Sequence, residues 1–281
     1  MGSNPAIPAI LLIFKRKKDK DKHMKNPTLY LERMEKSYQE KLFFLEQIDI
    51  TKYDYIVDFG CANGNILRRI KYFIGDENKA QLVGYDINED FLEIAREVTP
   101  INSNIVYINS FEDLPPKDGV NKSLIIFNSV LHEIEDINSR EKIFNLMSLF
   151  DAVVIRDMIA PLTSNLPIDA ITRSRIQKRS NPKMFDDFEN VWGRIDNKVK
   201  MYHYFLKYTY IENWETEIKE NYFSTPWGQI YNKIVFEGSH KIVFDRTYTL
   251  AYKKAMVERD FNHSMNDITH RQIIYIREAK L

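Results

Sequence analysis

An apolar run that ends in an acid and then breaks into a glycine loop restricts this chain to few folds: Tyr53-Asp54-Tyr55-Ile56-Val57-Asp58-Phe59-Gly60-Cys61-Ala62-Asn63-Gly64. It reads as a buried strand over 53–59, a tight turn and the start of a helix from Asn63, in which Ile66, Ile70 and Phe73 or Ile74 recur at helical spacing. A second apolar strand, Gln81 to Asp86, also ends in an acid, and Asn88 then caps a helix burying Phe91, Ala95 and Val98. The rhythm continues with strands at 104–108 and 124–127, a helix over 139–150 and a fifth strand at 152–155. Strands alternating with helices imply an α/β fold with a parallel, doubly wound sheet.

After Asp157 the pattern changes. Residues 160–238 are rich in aromatics and charges and predict two to four inserted helices punctuated by Pro161, Pro167, Pro182 and Pro226. His240 to Ala251 and Thr269 to Ile276 then suit a closing antiparallel strand pair. Ahead of the first strand, Asn26-Pro27 opens a helix that reaches about residue 49. The expected organisation is a basic leader at 1–24 (disordered or non-native, with Met24 as the working start), an N-terminal helix at 25–50, a ligand-binding core at 51–159, a helical lid at 160–238 and last strands at 239–281.

Bulk properties exclude more than they select. Lys+Arg and Asp+Glu balance at 40 each, so net charge argues for neither nucleic acid nor membrane. No run approaches the roughly 20 apolar residues of a membrane-spanning helix. Cys61 is the only cysteine, which rules out an internal disulfide framework and fits a reducing cytoplasm. With no Cys-x-x-Cys or His-x-x-x-His pair, no metal site is expected.

Chemistry concentrates at the strand ends. Open α/β sheets bind ligands at the carboxyl ends of their strands, where Asp58 and Asp86 stand. Gly60 lets the chain turn off the strand, and Gly64 lets a ligand's charged end approach backbone N–H groups at the helix start. The nicotinamide fingerprint Gly-x-Gly-x-x-Gly fits less well, because the last glycine comes one residue early and Ala62 takes the middle place.

Val57 to Gly64 resembles the first motif of class I S-adenosylmethionine (SAM) dependent methyltransferases, with Asp86 at the ribose-binding acid. Asn109 to Pro115 resembles the family's adenine-side segment, and Phe127-Asn128-Ser129-Val130-Leu131-His132-Glu133-Ile134 its segment after the fourth strand. The resemblance covers about residues 53–157 and implies a Rossmann-like core, SAM as cofactor and methyl transfer as the reaction. It places Asp58, Gly60, Cys61 and Gly64 at the methionine end, Asp86 and Ile87 at the ribose, Ser110 and Phe111 at the adenine, and Asn128 and His132 at the reacting centre. Two departures stand out: Ala62 for the usual glycine, and Ser110 where an acid usually meets the adenine amino group.

The acceptor is not fixed by the motifs. A small molecule or protein side chain fits the neutral charge and the aromatic lid. The basic-aromatic segment Lys198 to Trp214 suits either stacking on nucleobases, which would make RNA or another nucleic acid the acceptor, or a helix burying its rings. A SAM-binding module without transfer is the non-enzymatic alternative. His132 is either a general base or a group that packs and caps, and Arg156-Asp157 either orients substrate or forms an internal ion pair.

Overall fold

The computed structural model describes residues 37–110, 113–114 and 122–278. Seven strands form one mixed sheet: β1 Tyr55–Phe59, β2 Gln81–Tyr85, β3 Ile105–Ile108, β4 Ser123–Asn128, β5 Ala152–Met158, β6 His240–Tyr248 and β7 His270–Arg277. Their order is β3-β2-β1-β4-β5-β7-β6. β1 to β5 run parallel, and β7 is antiparallel to both β5 and β6, so the expected closing pair is present. Every residue of β1, β4 and β5 is buried, as strands covered on both faces require.

Alternation along these strands sends side chains to two cores. Ile56, Leu82, Leu124, Ile126 and Val154 pack on one face with Ile66, Leu67 and Ile70 of α2 (Asn65–Ile74) and Leu92 and Ala95 of α3 (Glu89–Val98). On the other face Val57, Val83, Ile125, Phe127 and Val153 meet Ile143, Phe144 and Met147 of α4 (Ile137–Met147). Asn88 caps α3 as expected, its side chain accepting from Asp90 N at 3.1 Å. The helix after the glycine loop starts at Asn65 rather than Asn63, because Gly64 at φ 71 still belongs to the turn. Capped by Asp136, α4 begins two residues before the expected 139 and ends at Met147.

Before β1 the described chain holds only a short helix, α1 (Tyr38–Leu42), and a 3-10 turn at Phe43–Glu46, so the expected helix does not run unbroken to residue 49. The leader and Asn26-Pro27 lie outside the described residues. The inserted region contains more helix than its sequence suggested: α5 Ala170–Arg179, α6 Pro182–Trp192, α7 Lys198–Tyr208, the short α8 Trp214–Glu217, and α9 Trp227–Tyr231 continuing as a π-helix over Asn232–Glu237. A further helix, α10 (Ala251–Phe261), separates β6 from β7.

Helices α5 to α7 have a core of their own. Ile176, Phe185, Phe188, Tyr204, Phe205 and Trp214 pack there with Val257 and Phe261 of α10. In α7 every residue from Met201 to Lys207 is buried, so the segment Lys198 to Trp214 uses its rings for packing. Those buried rings are not displayed for stacking on bases. Among the described residues no helix is long and apolar enough to cross a membrane.

Candidate active site

The glycine loop takes its shape from three left-handed residues: Gly60 at φ 77, Ala62 at φ 45 and Gly64 at φ 71. Its N–H groups are largely spent inside the chain. Those of Gly60 and Cys61 both donate to Tyr85 O (2.7 and 3.0 Å), that of Ala62 to Asp86 Oδ2 (2.8 Å) and that of Gly64 to Cys61 O (2.9 Å). The loop's own N–H groups are thus committed inside the chain, and the helix-start N–H groups expected to meet a ligand lie beyond them, from Asn65 onward.

The glycines serve packing instead. A Cβ on Gly64 would fall 2.2 Å from Tyr107 Oη and 2.5 Å from its ring, and one on Gly60 would fall 2.8 Å from Val130 Cγ2. The Tyr107 ring also closes on Gly84, whose Cβ would meet it at 2.6 Å and Cys61 Sγ at 2.8 Å. Gly64 thus makes room for the Tyr107 ring, a packing demand beside the ligand approach expected of this glycine. Cys61 is buried, and burial pushes its thiol well above the ordinary range, so it is a packing group rather than a nucleophile.

Asp58, next to last in β1, is buried, and neither carboxylate oxygen has a hydrogen-bond partner among the described residues. The side chain of Asn128, at the end of neighbouring β4, is likewise buried with both polar atoms unpartnered. Two orphaned polar groups beside one loop are costly unless a ligand completes them. Burial raises Asp58 to about 7, Lys41 pulls it back down, and Asp86 adds to the rise. Asp58, Asn128 and Lys41 line one cleft with Tyr38, Cys61 and Ile66, and Asp86 is not part of its lining.

Lys41, on α1, is a site residue that sequence reasoning missed. It lines both the loop cleft and a second cleft further along the strand ends. Burial lowers it to about 7, with the Arg156 charge pushing the same way and Asp58 opposing.

Asp86 stands where expected, at the end of β2, but its carboxylate also braces the backbone: Oδ2 accepts from Ala62 N and Oδ1 from Asn88 N at 2.9 Å. Burial raises its pKa, and these backbone donors hold the rise in check. Ile87 beside it is 70% exposed, an apolar side chain just past the end of β2. Ser110 follows β3 and its carbonyl accepts from Asp113 N at 3.2 Å, while Phe111 lies outside the described residues.

The second cleft is lined by Lys41, His132, Glu133, Arg156, Glu220, Tyr222 and Lys253, among others. At its floor His132 Nδ1 lies 2.7 Å from Asp157 Oδ1, and its backbone N–H donates to Asp157 Oδ2 at 3.1 Å. Burial disfavours the charged ring, but the Asp157 carboxylate outweighs it, with Glu133 and Glu220 adding, and lifts His132 to about 9. Burial alone would raise Asp157, but the His132 charge and hydrogen bond outweigh that and hold it below the usual carboxylate range. Raised this far, the ring is an imidazolium at neutral pH, a donor rather than a base. Of the two readings of Arg156-Asp157, Asp157 takes the internal pair. Arg156 Nη1 donates to Ser129 Oγ and Nε to Tyr248 Oη (2.9 Å), while Nη2 has no partner.

The inserted region supplies the other wall. Tyr222 donates to Glu217, and buried Lys207 donates to the carbonyls of Glu217 and Glu220. Ser224 Oγ donates to His132 O at 2.7 Å, tying that wall to the turn after β4. Burial, then repulsion from Glu217 and Glu133, lifts Glu220 to about 8. One group of metal-type donors comes together here among the described residues: His132, Glu133 and Glu220.

Comparison with known proteins agrees with this geometry. Residues 57–147 match the family model described as a methyltransferase domain. A search of curated proteins finds no match. Among solved structures, the chain is similar to an S-adenosylmethionine dependent methyltransferase from Mesorhizobium loti (15% identity, TM-score 0.50, covering 85% of this chain and 97% of that one). It is also similar to the N-methyltransferase NodS from Bradyrhizobium japonicum (11% identity, TM-score 0.44, covering 89% and 98%). The methyltransferase domain of bacterial CtHen1 shows 12% identity at a TM-score of 0.48, covering 87% of this chain and 100% of that one. Residues 57–147 thus carry a methyltransferase-domain signature, and the sheet built around them has the Rossmann-like fold of class I methyltransferases.

Proposed function

We propose that the protein transfers a methyl group from SAM to a small molecule or a protein side chain bound in the second cleft. The observation that carries the reading is the pair of unpartnered, buried side chains, Asp58 and Asn128, beside the glycine loop. An ammonium group satisfies a buried carboxylate in that position, and SAM carries one at its methionine end. Lys41 is placed to meet the carboxylate of the same end. Asp86 keeps lone pairs for the ribose hydroxyls beyond those given to Ala62 and Asn88. Ile87 offers its apolar surface nearby, and Ser110 and Phe111 are assigned to the adenine.

When bound, SAM supplies an electrophilic methyl group on a positively charged sulfur. The chain's own contribution is positioning, which alone is worth several kcal/mol when reacting atoms are held in line, up to about 7–11 in the best cases. Asn128 and His132 bracket the passage from the loop cleft to the second cleft, and Asp157 fixes the His132 ring. Insertion residues close the acceptor side, so acceptor choice belongs to the segment 160–238. Burial of the rings of α7 favours a small-molecule or protein acceptor over a nucleic acid.

The test uses methyl-labelled SAM with the full chain and a cell extract split into RNA, DNA, protein and metabolites. Label should enter the metabolite or protein fraction. In parallel, Asp58→Asn should weaken SAM binding in calorimetry by about 10- to 150-fold, the value of one hydrogen bond to a charged group. Its thermal stability should not fall, because an unpaired buried charge has been removed. Label confined to RNA would overturn the acceptor assignment, and undiminished SAM binding the cofactor site.

A further inference from the structure

The acceptor cleft contains a donor set that methyl transfer by positioning does not need. One ring nitrogen of His132 and one carboxylate oxygen each of Glu133 and Glu220 lie within 4.8 Å of one another. His132 is 4% exposed, and its Nδ1 is committed to Asp157. Nε2, for which no partner is found among the described residues, is therefore the nitrogen left for the cleft. Among the described residues no hydrogen bond or ion pair to another side chain engages the carboxylates of Glu133 and Glu220 either, whereas neighbouring Glu217 is taken by Tyr222.

The donors are also held in place from behind. Asp157 fixes the ring orientation of His132, the arrangement by which a carboxylate orients a metal-binding imidazole. Glu220 is anchored through its carbonyl by Lys207 Nζ at 2.5 Å. Ser224 Oγ, donating to His132 O, clamps the two donor-bearing segments together although they are far apart in sequence. A pre-set His, Glu, Glu group opening on a cleft leaves coordination positions for water or an acceptor oxygen.

We infer that His132, Glu133 and Glu220 form a binding site for one divalent transition-metal ion in the acceptor cleft. One imidazole and two carboxylates suit zinc or manganese better than magnesium, which favours all-oxygen surroundings. The ion supplies positive charge between the Glu133 and Glu220 carboxylates. It sits where an acceptor hydroxyl would bind, which extends the reading above, on which this inference rests, to oxygen-bearing acceptors. Sequence spacing gave no sign of the site, because two donors are adjacent in the turn after β4 and the third comes from the insertion.

The experiment titrates chelator-treated full-length protein with ZnCl2 and, separately, MnCl2, by calorimetry and, for manganese, electron paramagnetic resonance. One saturable site per chain is expected. Glu133→Gln and Glu220→Gln should each weaken it at least about tenfold. Asp157→Asn should weaken it about 10- to 100-fold, as loss of the group orienting a ligand does. Circular dichroism shows whether each variant folds, and Lys183→Arg, exposed on α6 and paired with Asp187, serves as a control that keeps wild-type affinity. No saturable binding of either ion, or binding unchanged in the Glu133→Gln/Glu220→Gln double variant, overturns the inference. SAM titration of the same chelated protein separates the two ideas: SAM binding without metal binding defeats only this site, and metal binding without SAM binding defeats only the cofactor reading.

Discussion

Gly64→Ala separates two explanations of the glycine loop. If Gly64 exists to admit a ligand, alanine there should cost SAM affinity whatever stands at position 107. If it exists to admit the Tyr107 ring, the cost should fall on stability and depend on that ring. A Cβ at position 64 would lie 2.2 Å from Tyr107 Oη and 2.5 Å from Cε1 and Cζ, far inside contact distance. Tyr107 has little room to retreat, since Oη is 2.9 Å from Thr99 Oγ1 and the ring lies against Gly84. Left-handed backbone at φ 71 adds about 1–2 kcal/mol for any residue with a Cβ. Overpacking adds about 1–3 kcal/mol, so Gly64→Ala should destabilise by about 2–5 kcal/mol. In a Tyr107→Val background only the backbone part should remain. Urea denaturation of the four proteins of this cycle gives the coupling energy directly, expected at about 1–3 kcal/mol. Equal costs in both backgrounds would refute the packing explanation.

Two further outcomes follow from the same loop and the second cleft. Ala62 sits at φ 45, so Ala62→Gly relieves left-handed strain that exceeds the entropy glycine adds to the unfolded chain; the urea midpoint should rise by the equivalent of about 0.5–1 kcal/mol at unchanged slope. Asp157→Asn breaks a buried pair and should cost about 3–5 kcal/mol in chelated protein near pH 6. Because the folded-state pKa of His132 is raised from 6.5 to about 9, its contribution is complete below 6.5 and is lost as pH climbs through 9. The stability gap between wild type and variant should therefore narrow over that window, and a gap that stays constant from pH 6 to pH 10 would contradict the pairing.

What the sequence disclosed was local. Asp58, Gly60 and Asp86 could be placed because period, glycine spacing and strand ends are encoded within a few residues of each other. Partnerships made by topology were hidden. His132 finds Asp157 because β5 lies beside β4, 25 residues on, and Ser224 reaches His132 across 92 residues. Lys41 enters the site from the chain before β1, where the sequence offered only a helix among charges. The packing of Tyr107 on Gly64 was hidden too, because that ring arrives through the pairing of β2 with β3. The aromatic stretch Lys198 to Trp214 has a composition that serves an exposed face or a core equally, and only burial distinguishes them.

The separate core of α5 to α7 has a consequence for how such a protein diversifies. Its rings pack with one another and with α10, while β1 and β2, which lead to the proposed donor-side residues Asp58, Gly60 and Asp86, belong to the two cores of the sheet. Substitutions in one body that share no contacts with the other should combine nearly additively. A lineage could rebuild the acceptor wall through many steps while inheriting the methyl-donor half untouched. The same division defines a laboratory library: randomised positions facing the cleft from the insertion, a constant sheet, and the Ser224–His132 bond kept as the joint that holds the two bodies in register.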